Sequence, residues 1–203
     1  MDFDVLIIGG GAAGMSCALI LGSAKSKPFA QHKKIGIIMH QKASALDGGL
    51  FNNVLGIRPG TTGKEILKQG KQQLTNTYPH VVQIENEKVE QIEKIESGFQ
   101  IVTNKDAFSS KIIVVAVGPS NLFNINGLNQ FLEPHANLPA AKKRIQLKNI
   151  NHKVDDNLYV AGVLAGWRSQ FATAAGSGTQ VATDILTLWN NGQTTMIHDS
   201  EPK

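Results

Sequence analysis

The chain has 203 residues, 41% of them hydrophobic and 18% charged, with a formal net charge of +4. That is enough chain for one good core and short for two, with an ordinary globular composition. Cys17 is the only cysteine, which excludes an intramolecular disulfide, a CxxC redox pair and a cysteine metal cluster, and the six histidines show no metal-ligand spacing.

The chain opens on an apolar run, Phe3 to Ile8, followed by Gly9-Gly10-Gly11-Ala12-Ala13-Gly14 and then an Ala/Leu-rich run to Leu21. This order predicts strand, tight glycine turn and helix. Gly9 allows the turn, Gly11 lets backbone approach a pyrophosphate, and Gly14 lets helix and strand pack closely. The unpaired N–H groups at the helix start would face the phosphates. A dinucleotide site is therefore expected, built on Gly9, Gly11, Ala12, Ala13 and Gly14. Asp2 and Asp4 stand where a signal peptide would be basic, and no stretch is long and apolar enough to span a bilayer. A cytoplasmic protein without a membrane partner is expected.

The first helix is predicted from about Ala12 to Ala24, and Ile35 to Met39 as a buried strand that completes a βαβ unit. A Rossmann site places an acid after this strand, against a ribose hydroxyl; here His40 and Gln41 stand there. Leu46 to Gly60 reads as a loop at the carboxyl edge of the sheet. Thr61 or Thr62 caps a helix that runs through about Thr77. Strands follow at Val81–Glu85, Val89–Ile95, Phe99–Thr103 and Lys111–Val117, an antiparallel insertion that returns to the sheet. Residues 120–150 read as a shortened irregular connection. Leu158 to Gly162 is another buried strand, a helix runs from about Gln170 to Trp189, and the tail from 193 to 203 is expected to be flexible. The fold class is α/β: a Rossmann-like parallel sheet with helices on it and a small antiparallel β insertion, forming one domain over residues 1–192. The lysine groups at 64–71 and 142–148 read as solvated faces, and no nucleic-acid module with interleaved aromatics is present.

In this order the elements resemble the FAD-binding domain of the thioredoxin reductase branch of the pyridine nucleotide-disulfide oxidoreductases, over two blocks of about 3–118 and 156–190. The first block carries the glycine motif, Gly48-Gly49-Leu50, Asn53, Gly56 and Thr62-Gly63-Lys64-Glu65-Ile66. It also carries Lys88-Val89, where the family passes the adenine, and Ala116-Val117-Gly118. The second block runs from Leu158 through Gly162 and Val163 to Gly178. The resemblance implies FAD, with Gly162 and Val163 at the ribityl chain and the backbone of Gln170, Phe171 and Ala172 at the flavin pyrimidine ring. The dipole of that last helix would favour reduced, anionic flavin.

The sequence departs from the family at four points. About forty residues separate Gly118 from Leu158, too few for a nicotinamide domain. The dithiol is absent. His40 replaces the acid expected at the adenosine ribose, and Val163 replaces the aspartate that binds ribityl hydroxyls. The expected function is a minimal FAD oxidoreductase without a named acid, base or nucleophile. Its electrons would come from a partner protein, a diffusible reductant or NAD(P)H. The alternative is a nucleotide-binding or flavin-sensing module without turnover; an ordinary NAD dehydrogenase leaves the second block unexplained. A single FAD domain exposes the surface that packs on the missing neighbour, so a homo-oligomer, a dimer, is expected.

Overall fold

The structure, a computed structural model, describes residues 2–40 and 44–198. In chain order it contains β1 (Asp2–Ile8), α1 (Ala12–Ser23), β2 (Ile35–Met39), β3 (Leu50–Phe51), β4 (Thr61–Thr62), α2 (Gly63–Thr77) and β5 (Val82–Glu85). There follow β6 (Val89–Ile95), β7 (Gly98–Thr103), β8 (Ala107–Val115), β9 (Leu132–Pro134), β10 (Ile145–Leu147), β11 (Lys153–Asp155), β12 (Leu158–Val160) and α3 (Phe171–Trp189). Five strands pair in parallel in the order β5-β2-β1-β8-β12, and β11 adds an antiparallel edge beside β12. This is the expected α/β architecture, with the antiparallel β6-β7-β8 insertion returning to the sheet.

The parallel strands are apolar because both of their faces are covered. On one face Val5, Ile7, Ile37 and Val114 pack against Cys17 and Leu21 of α1 and Val181 and Ile185 of α3. On the other, Leu6, Ile8, Ile113 and Val160 pack against Ile92 and Ile101 of the insertion. The segment between β8 and β12 belongs to this second layer, where Ile125, Leu128 and Leu147 are buried. Composition predicts an irregular connection there. It instead forms the β9–β10 hairpin, whose three-residue strands are too short to show an alternating pattern.

Two further differences have local causes. The strand expected from Lys111 begins at Ala107 and ends at Val115. Ser109 and Ser110 pair with β7 on one side and with β1 on the other, so tertiary pairing extends the strand through polar residues. Residues 193–198, where fraying is expected, turn back on α3. Thr195 is buried, its N–H donates to Thr187 Oγ1, its Oγ1 accepts from Asn190 Nδ2, and Ile197 packs on the core.

α1 and α3 lie side by side, and glycine permits it: a Cβ on Gly178 would overlap the backbone oxygen of Ala13. Gly178→Ala is expected to destabilise the fold by about 1–3 kcal/mol. Urea unfolding of the variant checks this, and an unchanged midpoint would mean that the helices are not in contact here.

Candidate functional site

Parallel pairing brings the carboxyl ends of β1, β2, β8 and β12 to one edge of the sheet. At that edge the glycine turn leaves β1. Gly9, with φ +117°, donates its N–H to Ile38 O, and a Cβ there would sit 2.5 Å from Ala116 O. A Cβ on Gly14 would overlap Gly9 O, so both glycines are required by packing. Gly11 differs. It is the N-cap of α1, no side chain caps the helix, and a Cβ on it would meet nothing within 4 Å. The first intrahelical bond is Met15 N–H to Gly11 O, which leaves the start of the helix open to an anion.

The start of α3 is built the same way. Gln170 is its N-cap without a side-chain bond, and Ala174 N–H is bonded to Gln170 O. Phe171 packs its ring edge-on to Phe51 of β3, centroids 5.5 Å apart. A cavity of about 630 Å³ reaches both helix starts: Gly10, Gly11 and Ala12 line it from α1, and Phe171 from α3. The loop before β4 closes it with Ile57 and Arg58, β4 adds Thr61, and α2 contributes Glu65 and Gln69. Hydrogen bonds from the backbone N–H and the hydroxyl of Thr62 hold the Glu65 carboxyl below its ordinary range.

The turn after β12 is tied down atom by atom. Gly162, φ +77°, donates its N–H to Ser177 Oγ at 2.7 Å. His135 accepts the Asn137 N–H at Nδ1, so Nε2 carries the proton and donates to Val163 O at 2.8 Å. Asn137 Nδ2 donates to Gly166 O and Asn149 Nδ2 to Ala165 O. His152 is buried beside this turn and donates from Nδ1 to Val160 O at 3.0 Å. Burial pushes the His152 imidazolium pKa down, so the ring stays neutral.

Of the residues expected at the site, Gly11, Ala12 and Phe171 line the cavity. Gly9, Ala13, Gly14, Gly162 and Val163 form the packed turns behind it. Gly48 and Gly49 precede β3, and Asn53 is exposed in the following loop. His40 is half-buried just past β2, Gly118 is exposed past β8, and Gln41 lies outside the described residues. Lys88 is exposed and Val89 buried at the start of β6. The neighbouring Asn86 N–H reaches Met39 O, which keeps this stretch beside the end of β2. Gln170 and Ala172 are exposed at the α3 start. Arg58 and Gln69 on the cavity wall, and His135, His152 and Ser177 behind the turn, are not among the residues expected at the site, and Glu65 was expected only within its helix-start motif. His135, His152 and Ser177 find their partners across 8 to 28 residues of sequence and form no local motif. Among the described residues, no helix is long and apolar enough to cross a membrane, and no three His, Cys, Asp or Glu residues are grouped to hold a metal.

The profile of the family described as "Pyridine nucleotide-disulphide oxidoreductase" matches residues 3–178. No curated protein matches the sequence. Among solved structures, thioredoxin reductase from Gloeobacter violaceus aligns with TM-score 0.70 and 18% identity, over 98% of this chain and 99% of that one. The thioredoxin reductase of T. acidophilum aligns with TM-score 0.64 and 17% identity, over 94% and 98%. A ferredoxin-flavin thioredoxin reductase from Clostridium acetobutylicum aligns with TM-score 0.65 and 19% identity, over 93% and 99%. At these identities the likeness is one of fold.

The depressed pKa values of His152 and His80, both caused first by desolvation, give a pH prediction. Below the ordinary value of 6.5 the unfolded chain takes up protons that the folded chain resists, so stability is full above that pH and is lost as pH falls below it. Urea midpoints between pH 8 and 5 are expected to fall, and to fall less in His152→Asn. An identical profile in the variant would rule out a contribution from His152.

Proposed function

Because the chain belongs to the pyridine nucleotide-disulphide oxidoreductase family, we propose that it is an FAD-binding oxidoreductase that takes electrons from outside itself. One observation carries the reading: two helix starts without side-chain caps, α1 and α3, open on the same cavity at the carboxyl edge of the sheet. Such starts suit a dinucleotide, with its diphosphate at one and an electron-accepting ring at the other. The residues present fit the diphosphate, since the space beside Gly11 is where a side chain would intrude.

When bound, FAD supplies the redox chemistry. The chain's own residues have simpler tasks. The N–H groups of Ala12 and Ala13 would hold the diphosphate. Phe51 and Phe171 would limit water at the α3 start, and Gly162 keeps the turn close to α1. Cys17 is buried and its thiol pKa is pushed far up by desolvation, so it offers no dithiol chemistry. The electron donor is external: a partner protein, a diffusible reductant or NAD(P)H. A dimer belongs to the same reading, with exposed apolar Leu188 and Met196 at the α3 end as surface that it would cover. Cytoplasmic location is likewise part of the proposal.

A second reading, a dinucleotide-binding module without turnover, is favoured by Val163. Its side chain cannot bond a hydroxyl, and its carbonyl is already taken by His135.

The purified protein is expected to show a flavin absorption spectrum and to release FAD on heating. Gly11→Ala should leave the unfolding midpoint nearly unchanged, because its Cβ meets no atom, while lowering FAD affinity at least tenfold. A colourless protein that takes up no added FAD would overturn the proposal. A bound flavin that no donor reduces anaerobically would favour the second reading.

A further inference from the structure

On the side of the α3 start away from Phe171 lies a second, wider groove of about 950 Å³, between the Asn151–His152 turn and α3. None of the residues expected to hold the dinucleotide lines it. Thr173, Gln180 and Asp184 line it from one face of α3, and His152, Trp167 and Arg168 from the opposite side.

His152 occupies an unusual place. Ile150 and Lys153 exchange both backbone hydrogen bonds around a two-residue turn, with φ +49° at Asn151 and +71° at His152. The second position of such a turn favours glycine, so the imidazole is held there against backbone preference. The residue is 3% exposed, and its ring stacks on Trp167, 8° from parallel at 5.6 Å. Because Nδ1 donates to Val160 O, Nε2 is left with a lone pair, and no described residue donates to it. Asp184, half-buried, accepts one hydrogen bond from Gln180 Nε2 at 2.9 Å, and no described cation pairs with it. Burial pushes its carboxyl pKa up, against the Gln180 hydrogen bond and the nearby His152 ring, which pull it down.

The inner wall thus offers hydrogen-bond acceptors, a carboxylate and an imidazole lone pair, beside an indole. A primary ammonium, with three N–H donors and a positive charge, satisfies all of them. Arg168, exposed at the rim, supplies a guanidinium for an anionic group. A metal ion has no adequate ligand set here among the described residues. We propose that this groove binds a small α-amino acid, its ammonium group at Asp184 and His152 Nε2 and its carboxylate at Arg168. The site stands on its own residues and does not depend on the FAD reading.

Titration of the full-length protein with L-alanine, followed by calorimetry and by tryptophan fluorescence, tests this. Saturable binding in the millimolar range or tighter is expected, and Trp167→Phe should remove the fluorescence change. Asp184→Asn should weaken binding at least tenfold. Arg168→Gln should weaken L-alanine but not ethylammonium, and acetate alone should not bind. His152→Asn, which keeps a residue suited to the left-handed turn, should weaken both amines. Failure to saturate by about 50 mM, or equal binding by Asp184→Asn and the parent, would overturn the assignment. So would ethylammonium binding as tightly as L-alanine. The flavin spectrum is read in the same samples, so loss of one ligand site is distinguished from loss of the other.

Discussion

The architecture depends on backbone meeting backbone around α1. Gly14 lies against Gly9 O, Gly178 against Ala13 O, and Gly162 faces the Ala13 side chain; a Cβ on any of the three would collide. The helix is thereby held between the sheet and α3 with little freedom to slide. That contact fixes where both helices begin relative to the strand ends. It also separates the glycines of the opening motif by task. Gly9 and Gly14 are demanded by the protein's own packing, whereas Gly11 faces open space and is free to serve a ligand.

A second constraint operates on the opposite face. β8 runs continuously from the antiparallel insertion into the parallel sheet, so one strand locks the two layers together. The segment that follows buries Ile125, Leu128 and Leu147 beneath the sheet and then reaches back through His135, Asn137 and Asn149 to the carbonyls of the turn after β12. The short connection is therefore a structural part of the fold: without it one sheet face would be uncovered, and the carbonyls of Val163, Ala165 and Gly166 would lose their side-chain donors.

The sequence revealed those parts of this design that rest on local chemistry. Strands buried on both faces announce themselves by β-branched runs, as at Ile35–Met39. A threonine cap was expected at Thr61 or Thr62, and Thr62 provides it, paired reciprocally with Glu65. The glycine turn and the α3 start were readable because backbone approach demands small residues at fixed spacing. What was hidden depends on distant partners. Ala107–Ser110 is strand only because β1 and β7 flank it, and β9 and β10 are too short to carry a period. Thr195 is buried because Asn190 and Thr187 receive it. His135 carries no motif, yet it fixes the turn through Val163 O, a contact that only the folded chain creates.

Capping shows where the fold gives up stability. α2 has the full reciprocal box, with Thr62 accepting from Glu65 N–H and Glu65 accepting from Thr62 N–H, and it has an acidic side chain in its first turn. α1 begins at Gly11 and α3 at Gln170, neither with a side-chain cap nor with an acid in its first turn. A cap contributes about 1 kcal/mol, so two of the three α-helices among the described residues forgo a stabilisation that the third has in full. Both bare ends lie at the same cavity, and a side-chain carboxylate placed there would compete with an anionic ligand for the same N–H groups. The uneven capping is thus accounted for when the missing negative charge is supplied from outside the chain, at both helix starts together.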